Sequence, residues 1–366
     1  MPLIIDGHED LAYNMLAYKR DYRRSALETR RLEKDSEIPE RNGGALLGWP
    51  EYQHGQVAFI FGSLFIVPER FRGGAWDWQV YKTSDQASQL LHGQISAYYE
   101  LNERAPDQFR IIYSRQDFEE VLLLWQQAPV AYPKTTHPVG LVITIEGAEG
   151  IRSPSEMEEW WRAGVRTVGP VWAGTRFCGG TYLPGGFTKE GYELLEIMQG
   201  LGFTLDIAHM TELSACQALD HYEGPIVASH ANVRAILNNS QNERHLSDKV
   251  ISKLIARDGI IGVMCYNRFL VEGWARGDDR HLVSLSLLAD HIDHICQIAG
   301  DARHVAIGTD FEGSYGLEDV PYEIETVADL QKVAPLLEGR GYAAEDINAI
   351  MSGNWLRHLK RNLPDR

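Results

Sequence analysis

The 366-residue sequence predicts a (β/α)₈ barrel, the TIM barrel fold, from three observations. Eight short apolar runs rich in β-branched residues predict strands that are buried on both faces. Stretches with a helical period of apolar residues separate most of these runs, and alternating strands and helices indicate a parallel sheet. The length suits one barrel, so we expect a single domain over residues 1–366 with loop insertions. An open, doubly wound sheet is the alternative.

The predicted elements alternate along the chain. The strands cover residues 3–5, 57–65, 139–145, 165–171, 203–208, 225–228, 260–265 and 305–308. The helices between them cover residues 84–101, 189–200, 211–219, 248–257 and 284–298. The longest apolar run, residues 57–67, is shorter than the roughly 20 residues that a membrane span needs. It is therefore interpreted as a buried strand.

Charge and composition exclude several classes of partner. The chain carries 35 basic and 51 acidic residues, a net charge of −16, and its pI is near 5.3. This charge repels phosphate backbones and anionic bilayers, so we expect neither a nucleic acid nor a membrane as a partner. The N-terminus lacks the basic segment and cleavage site of a secretory signal, and the four cysteines form no C-x-x-C pair. We therefore expect a cytoplasmic protein with reduced thiols.

Residues of the metal-ligand and proton-transfer types end five of the predicted strands. Two of them, His8 and Asp10, follow the first strand, where residues i and i+2 project to the same side of extended chain. Any single one is explained by a polar residue that terminates an apolar strand, but their recurrence favours a shared site. The loops that follow barrel strands build the active site, so we expect all six at one rim. They are His8, Asp10, Glu146, His209, His230 and Asp310.

Three histidines and three carboxylates exceed the ligand set of one tetrahedral zinc ion. They suit two divalent ions about 3.5 to 4 Å apart. Glu146 is the natural bridge, because a carboxylate has two oxygens whereas a neutral imidazole offers one lone pair. A water shared by two cations has a pKa of about 7 or below and supplies a nucleophile at neutral pH. We expect two divalent metal ions with zinc first, although manganese, cobalt and iron accept the same ligands.

The order of the motifs resembles one family almost from end to end. The segment D-G-H-E-D-L at residues 6–11, E-G at 146–147, L-D-I-A-H ending at 209, S-H at 229–230 and G-T-D-F-E-G at 308–313 occur in sequence. They are similar to motifs of the renal-dipeptidase-like, or membrane dipeptidase, metallopeptidases of the broader amidohydrolase class. The resemblance implies one zinc on His8, Asp10 and Glu146. It implies a second zinc on Glu146, His209 and His230.

Two positions depart from that family. Trp172 stands where the family usually has a histidine that hydrogen-bonds the developing oxyanion, so either Trp172 packs as a wall or Arg176 supplies positive charge there. Gln241 stands where the family has an arginine that binds the substrate carboxylate, and Arg244 is a candidate replacement. Tyr266 matches a family tyrosine that contacts the same carboxylate. These five residues are the predicted substrate-binding set.

The sequence therefore predicts a zinc-dependent dipeptidase with Asp310 and Glu146 as its catalytic residues. A metal-bridging hydroxide attacks the amide carbonyl, and Asp310 passes a proton to the departing amine. The predicted partner is a small dipeptide or related amide, and a homodimer is one option for the assembly. Two alternatives are a binuclear hydrolase of another amide or lactone, such as an N-acyl-D-amino acid, and a catalytically idle metal-binding scaffold.

Overall fold

A computed structural model describes residues 1–127, 132–174, 176–237, 240 and 242–365. Within these residues, eight parallel strands form a closed barrel, which confirms the predicted fold class. In chain order the strands are β1 (Ile4–Glu9), β2 (Val57–Phe65), β3 (Val139–Glu146), β4 (Val165–Gly169), β5 (Thr204–Asp206), β6 (Ile226–Ala228), β7 (Ile260–Val263) and β8 (Val305–Ile307).

Each strand of the barrel pairs in parallel with its neighbours in the chain order. The pairing of Asp6 in β1 with Ile307 in β8 closes the ring. Three short strands lie outside it and were not predicted. Phe109–Ile111 pairs with the first part of β3, and Val67–Pro68 pairs with Val80–Tyr81.

Helices connect the strands and cover the barrel. They are Leu11–Ala17, Ala26–Glu33, Ile38–Asn42, Trp49–Gly55, Ser84–Arg104, Arg115–Gln127, Met157–Arg162, Lys189–Leu201, Glu212–His221, Asp248–Ala256, Asn267–Leu270, Ser286–Ala299, Val333–Gly339, Ala344–Asn348 and Asn354–Asn362. The five predicted helices are present with their ends shifted by at most three residues. Among the described residues, no helix combines the length and apolar composition that crossing a bilayer requires.

Polar side chains start several of these helices. Thr188, Thr211 and Ser247 each accept a hydrogen bond from a backbone N–H three residues along, which satisfies a donor that the helix leaves unpaired. The sequence predicted that the helix after β4 ends at Gly200, which is wrong by one residue. It ends at Leu201, because Gly202 adopts the left-handed conformation of a helix cap at φ +89°.

The packing below the barrel rim positions the first strand. Trp355 is buried and donates its indole N–H to the carbonyl of Ile307 at 2.8 Å. Gly7 leaves room for this indole, since a Cβ there would lie 2.6 Å from the Trp355 ring and 2.8 Å from the carbonyl oxygen of Ser229. The glycine between Asp6 and His8 therefore lets β1 approach the core closely, and β1 continues through His8 to Glu9.

Candidate metal centre and active site

Glu146, the last residue of β3, lies at the middle of a buried cluster of histidines. Its Oε1 atom lies 2.8 Å from Nε2 of His209 and 3.4 Å from Nε2 of His230. Its Oε2 atom lies 3.4 Å from Nε2 of His8. Each oxygen of one carboxylate therefore faces a different set of imidazole nitrogens. This is the arrangement that a carboxylate bridging two cations requires.

Two overlapping sets of side chains place ligand atoms close enough to share an ion. One set is His8, Asp10 and Glu146, the other is Glu146, His209 and His230, and within each set the ligand atoms lie within 4.8 Å of one another. A third set of the same compactness joins His8 and His230 to Asp310. The structure thus brings together all six residues that the sequence predicted at one rim.

The hydrogen bonds behind His209 and His230 favour the tautomer in which the Nε2 lone pair faces the centre. The hydroxyl of Ser229 donates to Asp206, so its oxygen is free to accept from Nδ1–H of His230 at 2.7 Å. Thr181 stands 2.9 Å from Nδ1 of His209 in the same way. A second-layer partner at Nδ1 fixes which ring nitrogen is protonated and orients the other toward a metal.

These lone pairs fit divalent cations. The Nε2 atoms of His209 and His230 lie 3.0 Å apart, and two lone pairs at that distance repel unless positive charge lies beside them. Both ring nitrogens of His8 are buried without a hydrogen-bond partner among the described residues. A donor set of imidazole nitrogens and carboxylate oxygens is the one that zinc and similar ions prefer.

The charges of the cluster point the same way. Burial lowers the pKa of His8, but the nearby charges of Glu146, Asp10 and Asp310 outweigh it and raise that pKa to about 10. Burial raises the pKa of Asp310 well above its ordinary value, and the charges of Asp10 and Glu146 add to this effect. Burial and Glu146 likewise raise the pKa of Asp10 to about 6. The centre therefore carries an excess of negative charge, which attracts protons or metal cations.

His209 and Asp310 hold left-handed backbone conformations that are uncommon for residues other than glycine. Their φ angles are +67° and +60°. Such conformations cost about 1 to 3 kcal/mol each and gather at functional sites, where surrounding contacts maintain them. The backbone N–H of Asp310 donates to the carbonyl of His8 at 2.9 Å. This bond ties the loop after β8 directly to β1, the strand that carries His8.

Two buried carboxylates support that loop from behind. Asp6 accepts hydrogen bonds from the backbone N–H and the hydroxyl of Thr309 at 2.7 and 2.6 Å. Glu312 accepts from Arg20 and Tyr22, both at 2.6 Å. Charge-assisted hydrogen bonds of this kind are stronger than neutral ones. Thr309 before Asp310 and Glu312 after it are therefore both held in place, which fixes the position of Asp310 between them.

A cavity of about 290 Å³ opens over the cluster and is the candidate substrate site. Phe65 at the end of β2, together with Trp172 and Tyr182 from the loop after β4, lines one side of it. Loops after β6 and β7 contribute Arg244 and other polar side chains to the opposite side. The full lining is Asp10, Phe65, Glu146, Trp172, Thr181, Tyr182, His209, Asn242, Arg244, Tyr266, Arg268, Phe269, Asp310, Gly313 and Ser314.

The predicted substrate-binding residues divide into three groups. Trp172, Arg244 and Tyr266 line the cavity. Arg176 is placed away from it, because its guanidinium binds Glu190 and the carbonyls of residues 151 and 152. Gln241 lies outside the described residues. Sequence reasoning missed Thr181 and Tyr182, whose signal was the long glycine-rich loop after the fourth strand, since such loops build barrel active sites.

Arg244 is buried with part of its guanidinium unpaired. One Nη atom donates to the carbonyl of His230 at 2.9 Å, which holds the side chain next to the cluster of histidines and carboxylates. The other Nη atom and Nε have no hydrogen-bond partner among the described residues. Buried guanidinium nitrogens that lack a hydrogen-bond acceptor are costly, and burial lowers the pKa of Arg244. An anion in the cavity would relieve this cost.

Comparisons with known proteins identify the family of the chain. The family model for membrane dipeptidases, peptidase family M19, matches residues 1–363. An uncharacterized Klebsiella pneumoniae protein from the pqqA 5′ region is 29% identical over 65% of this chain and 95% of its own length. The dipeptidase aclJ of Aspergillus oryzae is 26% identical over 63% of this chain and 55% of its own. Several fungal dipeptidases and the rat and mouse Dipeptidase 3 proteins match about 60% of this chain. The matched part spans about half the length of each of these relatives.

Solved structures share the fold. A metallopeptidase from Rhodobacter sphaeroides, liganded with a phosphinate mimic of the dipeptide L-Ala-D-Ala, superposes with a TM-score of 0.76 at 20% identity and covers 99% of both chains. The dipeptidase AC, a metallopeptidase of family M19, gives a TM-score of 0.75 at 20% identity, also over 99% of both chains. Because the family model covers nearly the whole sequence, this chain belongs to the membrane dipeptidase family, peptidase family M19.

Proposed function

We propose that this protein is a binuclear-metal dipeptidase that hydrolyses the amide bond of a dipeptide. The main support for this proposal is the position of Glu146. One of its carboxylate oxygens faces His8, and the other faces His209 and His230. Membership of the membrane dipeptidase family supports the reaction class.

His8, Asp10 and Glu146 would hold one divalent ion, and Glu146, His209 and His230 would hold the other. When bound, such ions polarise a carbonyl oxygen and lower the pKa of a shared water so that hydroxide is available near neutral pH. Zinc is the metal we propose, because its preferred protein ligands are imidazole, thiolate and carboxylate groups.

Asp310 is proposed as the proton carrier. Its Oδ1 atom lies 3.9 Å from Nε2 of His8, and its side chain faces the cavity with 15% exposure. The raised pKa, caused by burial and by the charges of Asp10 and Glu146, favours a carboxyl that accepts a proton readily. Asp310 would take a proton from the attacking water and deliver it to the departing nitrogen.

Arg244 is proposed to bind the C-terminal carboxylate of the substrate through its unpaired Nε and Nη atoms. We expect Arg244→Ala to lower kcat/KM for a dipeptide by about 100-fold, mainly through KM, since losing one partner of a buried charged pair costs several kcal/mol. The measurement compares dipeptides with their C-terminal amides. Wild-type protein should strongly prefer the free acid and the variant should not, whereas an unchanged preference would exclude this role.

The proposed function is tested by metal removal and return. We expect protein treated with a chelator to lose hydrolysis of L-Ala-D-Ala, the dipeptide mimicked in the Rhodobacter sphaeroides structure, and to regain it with added zinc. L-Ala-L-Ala belongs in the same assay, because the stereochemical preference is open. Turnover that persists at full rate after complete removal of divalent metal would contradict the proposal.

A hydrolase of N-acyl amino acids is the second candidate, and one observation favours it. Among the described residues that line the cavity, the carboxylates are Asp10, Glu146 and Asp310, all within the metal cluster. The side of the cavity that Phe65, Trp172 and Tyr182 line therefore offers, among the described residues, no separate carboxylate to bind the free ammonium group of a dipeptide. Faster turnover of N-acetyl-D-alanine than of any dipeptide would favour this candidate over the first.

A further inference from the structure

We infer that the enzyme selects dipeptides with an aromatic or large apolar side chain on the N-terminal residue, which supplies the scissile carbonyl. This inference rests on the proposed function. The selecting surface is formed by Phe65, Trp172 and Tyr182, which line the cavity. Phe71 packs against Trp172 and Tyr182, and these four residues are called here the aromatic wall. It borders the metal cluster on one side of the cavity.

The aromatic wall is built by mutual ring contacts. The ring of Trp172 lies 5.1 Å from that of Phe65, 5.6 Å from that of Phe71 and 5.3 Å from that of Tyr182. Phe71 and Tyr182 lie 4.5 Å apart. Two of these contacts are edge-to-face, a favoured geometry that holds aromatic rings in fixed orientations. The wall is therefore already formed before a substrate binds, which lowers the entropic cost of binding.

The aromatic wall lies close enough to the proposed reaction centre for a substrate side chain to contact both. The ring of Trp172 is 6.1 Å from that of His209, and Phe65 is the residue of β2 that pairs with Glu146 of β3. A carbonyl placed at the metal cluster has its own side chain only one carbon away. That side chain can therefore contact the wall while the carbonyl stays at the cluster.

The orientation of the substrate follows from the position of Arg244. The wall comes from the end of β2 and the loops after β2 and β4. Arg244 follows β6, which lies four strands from β2 and two strands from β4 around the eight-stranded ring. A dipeptide with its carboxylate on Arg244 and its amide at the cluster directs its N-terminal residue to the wall. The C-terminal residue remains on the side of Arg244 and Tyr266.

The chemistry of the wall favours apolar groups. Tyr182 is 52% exposed, and Trp172 is half-buried. An indole has a large apolar face and cannot take up a proton to become a cation. Covering these rings with a phenyl group removes apolar surface from water on both partners. We expect a preference of about 10- to 100-fold in kcat/KM for phenylalanine over alanine at the N-terminal position.

The test compares L-Phe-D-Ala with L-Ala-D-Ala, and the two L,L forms, in zinc-loaded wild-type protein and in Trp172→Ala and Tyr182→Ala variants. Tyr322→Ala is the matched control, because Tyr322 is 43% exposed and its ring lies 5.7 Å from that of His281, with no ring contact to the aromatic wall among the described residues. Calorimetric Kd values for phosphinate analogues of the same dipeptides give a readout that does not depend on turnover.

We expect wild-type protein and Tyr322→Ala to favour the phenylalanine substrate and analogue at least tenfold, and the two wall variants to lose most of that ratio. A ratio near one in wild-type protein, with both dipeptides hydrolysed, would overturn the inference and leave the proposed function intact. Failure to hydrolyse any of the dipeptides would overturn the proposed function and this inference with it.

Discussion

Asp310→Asn is expected to reduce kcat/KM for dipeptide hydrolysis by about 1,000-fold while the protein retains its full metal content. The amide has the shape of the carboxyl group, but it cannot accept a proton and pass it to the departing nitrogen. Steady-state kinetics and elemental analysis of the same preparation measure the two quantities together. The large effect follows from the loss of this proton transfer, which the carboxyl of Asp310 beside Asp10 and Glu146 is positioned to perform.

Asp301→Asn is the matched control, because Asp301 is exposed and lies before β8, whereas Asp310 lies after it. This variant should keep kcat/KM within about twofold of wild type. The compact group of His8, His230 and Asp310 gives the main competing explanation, in which Asp310 is a metal ligand. Loss of metal from Asp310→Asn would establish that explanation, and unchanged turnover would remove the proton role altogether.

Glu146→Gln is expected to have the largest effect of any single substitution, with less than one tightly bound ion per chain and a loss of at least about 10,000-fold in kcat/KM. Glutamine has one acceptor oxygen and no negative charge, so it cannot join two cations. His209 and His230 would face each other without the carboxylate that now lies 2.8 and 3.4 Å from them. Elemental analysis and a zinc titration by calorimetry measure the loss.

Glu149→Gln is the control for that change. Glu149 lies in the turn that follows β3, three residues after Glu146, and burial raises its pKa to about 7. No ion pair with a histidine of the cluster is found for it among the described residues. The control should therefore keep two ions per chain and its turnover. Equal loss of metal from both variants would mean that Glu146 has no special bridging role.

Much of the site was predictable because its ligands are local features of the strand ends. His8 and Asp10 project together from extended chain, and Glu146, His230 and Asp310 follow apolar runs that a barrel buries. The prediction that β1 ends at residue 5 was wrong, since the strand continues to Glu9. The segment D-G-H-E has no apolar pattern, so the sequence gives no sign that it forms a strand. Backbone pairing with β2 and β8 nevertheless extends β1 through this segment.

The surroundings of the metal cluster depend on long-range contacts that no local pattern contains. The 4.5 Å contact between Phe71 and Tyr182 joins loops that are more than 100 residues apart. Arg176 was a candidate for positive charge at the site, but Glu190 binds its guanidinium elsewhere. Arg244 reaches the cavity because the loop after β6 folds back to place its guanidinium 2.9 Å from the carbonyl of His230.

The proposal that Glu146 bridges two divalent ions is tested most directly by zinc-edge anomalous diffraction from crystals grown with zinc. This measurement gives the number and the positions of the ions bound to the wild-type protein. We expect two peaks that flank the Glu146 carboxylate, one toward His8 and Asp10 and the other toward His209 and His230. A single peak, or two peaks that do not share Glu146, would contradict the proposal.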